Sequence, residues 1–167
     1  MKTLVTVASK HGATGEMGEA IADVLRDAGL AVQTRPPDDV ASLDDFDAVI
    51  LGSAVYAGRW VDSARRFAQR HHAELLTRPV WLFSSGPIGE PLAPTEESAD
   101  AVRIATDLSA RGHRTFAGRI DPEGLSWVER TVTRMVKAPD GDFRDWEAVR
   151  AWAEEIAASL TRTEVAS

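Results

Sequence analysis

The sequence predicts an α/β fold: a doubly wound, five-stranded parallel sheet in the order 2-1-3-4-5, with an extra helix between strand 5 and the last helix. Three observations carry this expectation. Strand-like and helix-like segments alternate along the chain. The strands are apolar throughout, as strands covered by helices on both faces are, instead of alternating apolar with polar. Three strand ends, Ser9 to Thr14, Ser53 to Trp60 and Ser84 to Gly89, are rich in glycine, serine and other small residues. In the doubly wound order these ends belong to strands 1, 3 and 4 and converge on the crevice where such sheets bind ligands.

Each element follows from local pattern. Strand 1 is Thr3 to Ala8, an uncharged β-branched run. A polar loop leads to a helix that starts near Thr14 or Gly15 and carries Ile21, Val24, Leu25 and Ala28 at helical spacing. Asp27-Ala28-Gly29 stops it, and Leu30 to Thr34 is a short second strand. Asp47 to Ser53 is the clearest strand of the chain, and Ala54 to Trp60 is a loop. A helix is expected over Val61 to Leu76, with Ala64, Phe67 and Ala68 inward. Val80 to Ser84 forms the next strand, and a helix runs from Thr95 to about Ala110 with acidic residues in its first turn. Arg114 to Arg119 is the fifth strand. The last helix, Arg144 to about Leu160, places Trp146, Val149, Trp152, Ile156 and Leu160 at helical spacing. We read residues 1–162 as one domain and 163–167 as a frayed tail.

Composition narrows the function. The chain has 167 residues, enough for one substantial core. Its net charge of −7 argues against a broad nucleic-acid surface. It has no cysteine, which removes disulfides, thiolate metal sites, iron–sulfur clusters and cysteine nucleophiles together. No metal site is expected: His71-His72 are adjacent helix residues that point apart, and both are assigned to the surface. No Ser/His/Asp set is readable. The start of the chain reads as strand with no signal peptide, and no apolar run approaches the ~20 residues that span a bilayer, so a cytoplasmic location is expected.

The loop Ser9-Lys10-His11-Gly12-Ala13-Thr14-Gly15 carries the local chemistry. Backbone N–H groups at a helix N-terminus converge on one point, and the helix dipole favours an anion there. Ser9 and Thr14 add hydroxyl donors, so the stretch suits a phosphate. It is not a Walker A loop, since no Gly-Lys-Ser/Thr follows at the required spacing. Gly12, Gly15 and Gly18 are three apart, unlike the dinucleotide fingerprint. Taken alone, the loop fits an ordinary βα turn equally well.

Taken together, the three loops make the whole chain resemble the flavodoxin-like family. Ser9-x-His11-Gly12-x-Thr14 matches that family's FMN-phosphate loop, Ser/Thr-x-Thr-Gly-x-Thr, except that His11 replaces a threonine. An imidazole N–H can replace the missing hydroxyl. The resemblance implies that Ser9, Lys10, His11, Gly12, Ala13, Thr14 and Gly15 surround the FMN phosphate. It implies that Ser53, Ala54, Val55, Tyr56, Ala57 and Gly58 form the second flavin loop, with Tyr56, the only tyrosine, covering the isoalloxazine ring. Ser84, Ser85, Gly86, Pro87, Ile88 and Gly89 resemble the third loop, whose backbone meets the pyrimidine edge. In such a protein the cofactor carries the redox chemistry and the chain tunes it; no catalytic side chain is assigned.

The C-terminal third is similar to the protoporphyrinogen dehydrogenases of the flavodoxin family. Ala117-Gly118 is followed by an extra segment, Pro122 to Lys137, and then by Phe143-Arg144-Asp145-Trp146, like that group's Tyr/Phe-x-Asp-Trp approach to the last helix. The link from Lys137 to Asp142 lacks the Gly-Gly found in that group. Within the segment, Leu125, Val128, Val132, Met135 and Val136 fall in an arc of about 100°, with Arg130, Arg134 and Lys137 opposite. Residues 123–137 read as a lid near the flavin, as a peripheral contact with the cytoplasmic face of a quinone-bearing membrane, or as an amphipathic helix packed on the body. Three functions follow. One is an FMN-dependent dehydrogenase passing electrons from a bulky organic small molecule to a quinone-type acceptor. The second is an electron carrier that docks redox partner proteins. The third is a protein of this fold that binds no FMN, whether regulatory or deazaflavin-binding.

Overall fold

The structure is a computed structural model that describes residues 1–86, 97–120, 141–142 and 144–166. Its elements are β1 (Lys2–Ala8), α1 (Ala13–Asp27), β2 (Ala31–Arg35), β3 (Ala48–Tyr56), β4 (Arg59–Trp60), α2 (Asp62–Arg70), α3 (His72–Leu75), β5 (Val80–Gly86), α4 (Ala99–Asp107), β6 (Gly112–Ala117), β7 (Arg119–Ile120), β8 (Gly141–Asp142) and α5 (Trp146–Val165). The parallel sheet runs β2-β1-β3-β5-β6. This is the expected 2-1-3-4-5 order, because the short β4 only hairpins back on β3. The expected extra helix, over residues 122–138, lies outside the described residues.

Side chains alternate between two cores, one on each face of the sheet. Leu4, Leu51 and Leu82 pack with Phe67 of α2, Leu75 of α3 and Ile104 of α4. Val5, Ile50 and Phe83 pack with Ile21 and Leu25 of α1 and with Trp152 and Ile156 of α5. Burial on both faces explains why the central strands lack polar alternation. The helices therefore cover both faces, and the carboxyl ends of β1, β3 and β5 emerge together at one edge.

Several boundaries differ from expectation, two of them for a clear tertiary reason. β3 continues through Tyr56 because Ala57 and Gly58, at φ 49° and 76°, turn the chain straight back into β4. Two consecutive positive φ angles are the geometry of a two-residue hairpin turn. The helix expected over Val61 to Leu76 breaks at His71 (φ −101°, ψ 18°). His71 is buried, not on the surface: its ring lies 4.9 Å from Phe67, and Nδ1 donates to Glu74 Oε1 at 2.8 Å. Arg70 Nε donates to the other ring nitrogen at 3.2 Å, which fits the Nδ1–H tautomer. That bond from His71 is the main cause holding the Glu74 carboxyl below its ordinary value. Finally, α4 starts at Ala99 and α5 runs past Leu160 to Val165.

Candidate functional site

The first loop turns on Gly12, which holds φ 85° immediately before α1. Left-handed backbone of this kind strains any residue with a Cβ, and a Cβ here would otherwise meet open space. The Gly12 amide donates to Ser9 Oγ at 3.0 Å, closing the loop on itself. Ser9 keeps its own hydroxyl hydrogen to donate. Among the described residues no side chain caps the start of α1, so its leading N–H groups are left uncapped there. Thr14 is buried within that first turn. Uncapped amides, two hydroxyls and an open glycine turn form a cradle that fits a phosphate dianion.

The second loop comes directly against the first. Lys10 Nζ lies 4.8 Å from the centre of the Tyr56 ring, over its face. His11 meets the same ring edge-on, with centroids 6.1 Å apart. Tyr56 itself is half-buried at the tip of the β3–β4 hairpin. The hairpin is gripped from α4. Ser98 Oγ donates to Gly58 O at 2.9 Å, and Asp100 accepts from the Trp60 amide at 3.2 Å and from Arg59 Nε at 3.4 Å.

The serines of the second and third loops face inward. Ser53 Oγ donates to Ala54 O at 2.8 Å and accepts from the Val61 amide at 3.0 Å. Ser84 Oγ accepts from Trp60 Nε1 at 2.8 Å and lies 3.0 Å from His113 Nε2. What Ser53 and Ser84 present to the crevice is therefore backbone. Ser85 is buried at the end of β5, beside Gly118, whose amide donates to Gly86 O at 2.6 Å. A Cβ on Gly118 would fall 2.7 Å from Gly86 O, so glycine lets the two strand ends close up. Pro87, Ile88 and Gly89 lie outside the described residues. Burial pushes the His113 imidazole below its ordinary value, against the opposing pull of Glu97.

Sequence reasoning gave the side chains of Asp100, Trp60 and His113 no part in the site. Each reaches the site only through packing, and each acts on residues far away in the chain. Among the described residues no cluster of acidic or histidine side chains could hold a metal, and no helix is long and apolar enough to cross a membrane.

A parallel sheet with a phosphate-type cradle at the end of β1 and an aromatic at the end of β3 defines a flavodoxin-class protein. The family model described as "Flavodoxin domain" matches residues 4–147, and the chain belongs to that family. FMN is the cofactor that this membership implies, and the uncapped start of α1 fits its phosphate. Within the family, the chain is similar to the protoporphyrinogen IX dehydrogenase (quinone) of Escherichia coli K12, at 22% identity over 94% of this chain and 95% of that protein. Among solved structures, it resembles a mutant flavodoxin from Pseudomonas aeruginosa (TM-score 0.63, 15% identity, 96% of this chain and 99% of that one). It also resembles the rubredoxin oxygen:oxidoreductase of Desulfovibrio gigas (TM-score 0.69, 16% identity), covering 99% of this chain but only 37% of that longer one.

Proposed function

We propose that the chain is an FMN-dependent oxidoreductase that passes electrons from a bulky organic small molecule, such as a porphyrinogen, to a quinone-type acceptor. The observation that carries this reading is the meeting of the uncapped α1 N-terminus with Tyr56 at one edge of the sheet. Bound FMN would supply the redox chemistry by alternately accepting and releasing electrons. The chain's residues do the rest. Ser9, Thr14 and the amides around Gly12 would hold the phosphate. Tyr56 would flank the ring, and the backbone around Ser85 and Gly86 would meet its polar edge. Lys10 adds positive charge at the mouth of an otherwise acidic protein. The dehydrogenase reading over a pure carrier rests on the similarity to the Escherichia coli enzyme across 94% of the chain. We assign it to the cytoplasm, with residues 123–137 as the peripheral contact where a membrane quinone is the acceptor.

The test has two stages. Purified protein titrated with FMN should quench flavin fluorescence at a stoichiometry of one. The loaded protein should then oxidise protoporphyrinogen with a soluble quinone. Flavin binding without turnover would favour an electron carrier docking redox proteins through its acidic surface. Failure to bind FMN would leave a regulatory or deazaflavin-binding protein.

A further inference from the structure

At the far end of the cradle sits a cation that the three-loop reading does not use. Arg144 lies just before α5, yet its side chain is only 5% exposed. Its Nε and Nη2 make a bidentate pair with Asp142, at 2.9 and 2.7 Å. Its Nη1 donates to the Glu16 carboxylate and to Ala13 O at 3.3 Å. The Trp146 ring lies 4.7 Å from the guanidinium carbon. One side chain thus joins the approach to α5 to the first turn of α1, 131 positions away.

We propose that Arg144 is a positioning residue of the anion cradle, which makes the site select a phosphorylated flavin over an unphosphorylated one. The inference rests on the reading that the cradle takes the FMN phosphate. Ala13 and Glu16 belong to the turn whose uncapped amides form the cradle, and Glu16 is the one acidic residue in that turn. An unpaired carboxylate there would repel a dianion. With Arg144 present, the group of Arg144, Glu16 and Asp142 sums to a single negative charge; without it, the sum is two. The hydrogen bonds that the guanidinium donates to Asp142, and secondarily to Glu16, drive its proton affinity further up, so it stays charged at any working pH. The bond to Ala13 O also pins the first peptide of α1, which fixes where its amides aim. A lysine would keep the charge but lose the fork that spans Asp142 and Ala13.

The experiment compares dissociation constants for FMN and riboflavin by fluorescence quenching, in the full chain and in three variants. The wild-type chain should prefer FMN. R144M should lose FMN affinity by about tenfold or more and keep its riboflavin affinity, so that the preference shrinks. R144K should fall between. E16Q in the R144M background should recover part of the FMN loss, because it removes the exposed carboxylate. Equal losses for both flavins would make Arg144 a general scaffold residue and overturn the proposal, as would unchanged FMN binding in R144M. If R144M does not fold, R144K carries the test, and an unaltered FMN-to-riboflavin ratio in it overturns the proposal. A wild-type chain with no preference for FMN would instead sink the phosphate reading of the cradle itself.

Discussion

His113 Nε2 lies 3.0 Å from Ser84 Oγ, at the centre of a buried chain of hydrogen bonds beneath the third loop. The Trp60 indole N–H donates to Ser84 Oγ at 2.8 Å, so the serine's own hydrogen is left to donate to Nε2. Nδ1–H then faces Glu97 Oε1 at 3.6 Å. The chain closes with a neutral imidazole. A proton on Nε2 would leave the Ser84 hydrogen without its acceptor. The triad-like order of Ser84, His113 and Glu97 is not a nucleophile site, because Ser84 is fully buried and accepts from an indole.

This arrangement sets a pH dependence. Burial lowers the His113 pKa below its ordinary 6.5 in the folded chain, with Glu97 opposing. As pH falls, the unfolded chain takes up the proton first. The stability due to neutral His113 is therefore complete above about pH 6.5 and declines below it, towards the lower folded value. Replacing His113 by Phe should flatten this part of the melting-temperature profile between about pH 7.5 and 5.5. Parallel profiles for the two proteins would refute the assignment.

Neighbouring strands β3 and β5 pack tightly where glycine meets an aromatic ring. A Cβ on Gly52 would sit 2.2 Å from the Phe83 ring, inside a fully buried side chain. Gly52→Ala should therefore destabilise the fold by about 2 kcal/mol or more, as overpacking does. Shortening Phe83 to Leu in the same chain should return part of that loss. Denaturant unfolding of the single and double variants measures it, and strict additivity would show that the ring is not what the methyl meets.

What could be read from the sequence was what is encoded locally. The loop from Ser9 to Thr14 announced itself because a βα turn and its glycine are contiguous, and the central strands because burial on both faces leaves an apolar run. The contacts that support the site are of another kind. Ser84 and His113 are 29 positions apart and meet through the pairing of β5 with β6. Trp60 and Asp100 meet through the seating of α4 on the β3–β4 hairpin. Arg144 reads in sequence as one more charge among the residues that precede a helix. His71 shows the same limit: its adjacency to His72 says helix surface, but the Phe67 ring on α2 and Glu74 on α3 give it a buried place.

Ala57 carries a φ of 49° in the turn that presents Tyr56. Left-handed backbone costs a residue with a Cβ about 1–2 kcal/mol, and glycine avoids most of that at some entropic cost in the unfolded chain. Ala57→Gly should therefore stabilise the protein by about 0.5–1 kcal/mol, read as a higher denaturant midpoint with unchanged slope. A lower midpoint would mean that the alanine methyl makes a contact worth more than the strain.

The position of Lys10 predicts the direction of redox tuning. Reduction adds negative charge to a flavin, and the acidic surface of the chain, at −7 overall, opposes that. Lys10 is the local exception, with its ammonium 4.8 Å from the centre of the ring expected to flank the flavin. A nearby cation favours the reduced, more negative form and so raises the reduction potential. Because Lys10 is exposed, solvent screens the effect to roughly 1 kcal/mol, or about 20 mV for a two-electron couple. Lys10→Met should lower the midpoint potential of the FMN-loaded protein by that order, and the difference from the wild-type chain should shrink as salt is added. Tyr56→Phe leaves the ring face in place and should change the potential less. A potential that stays the same or rises in the Lys10 variant would mean that the ammonium does not remain beside the ring once flavin is bound.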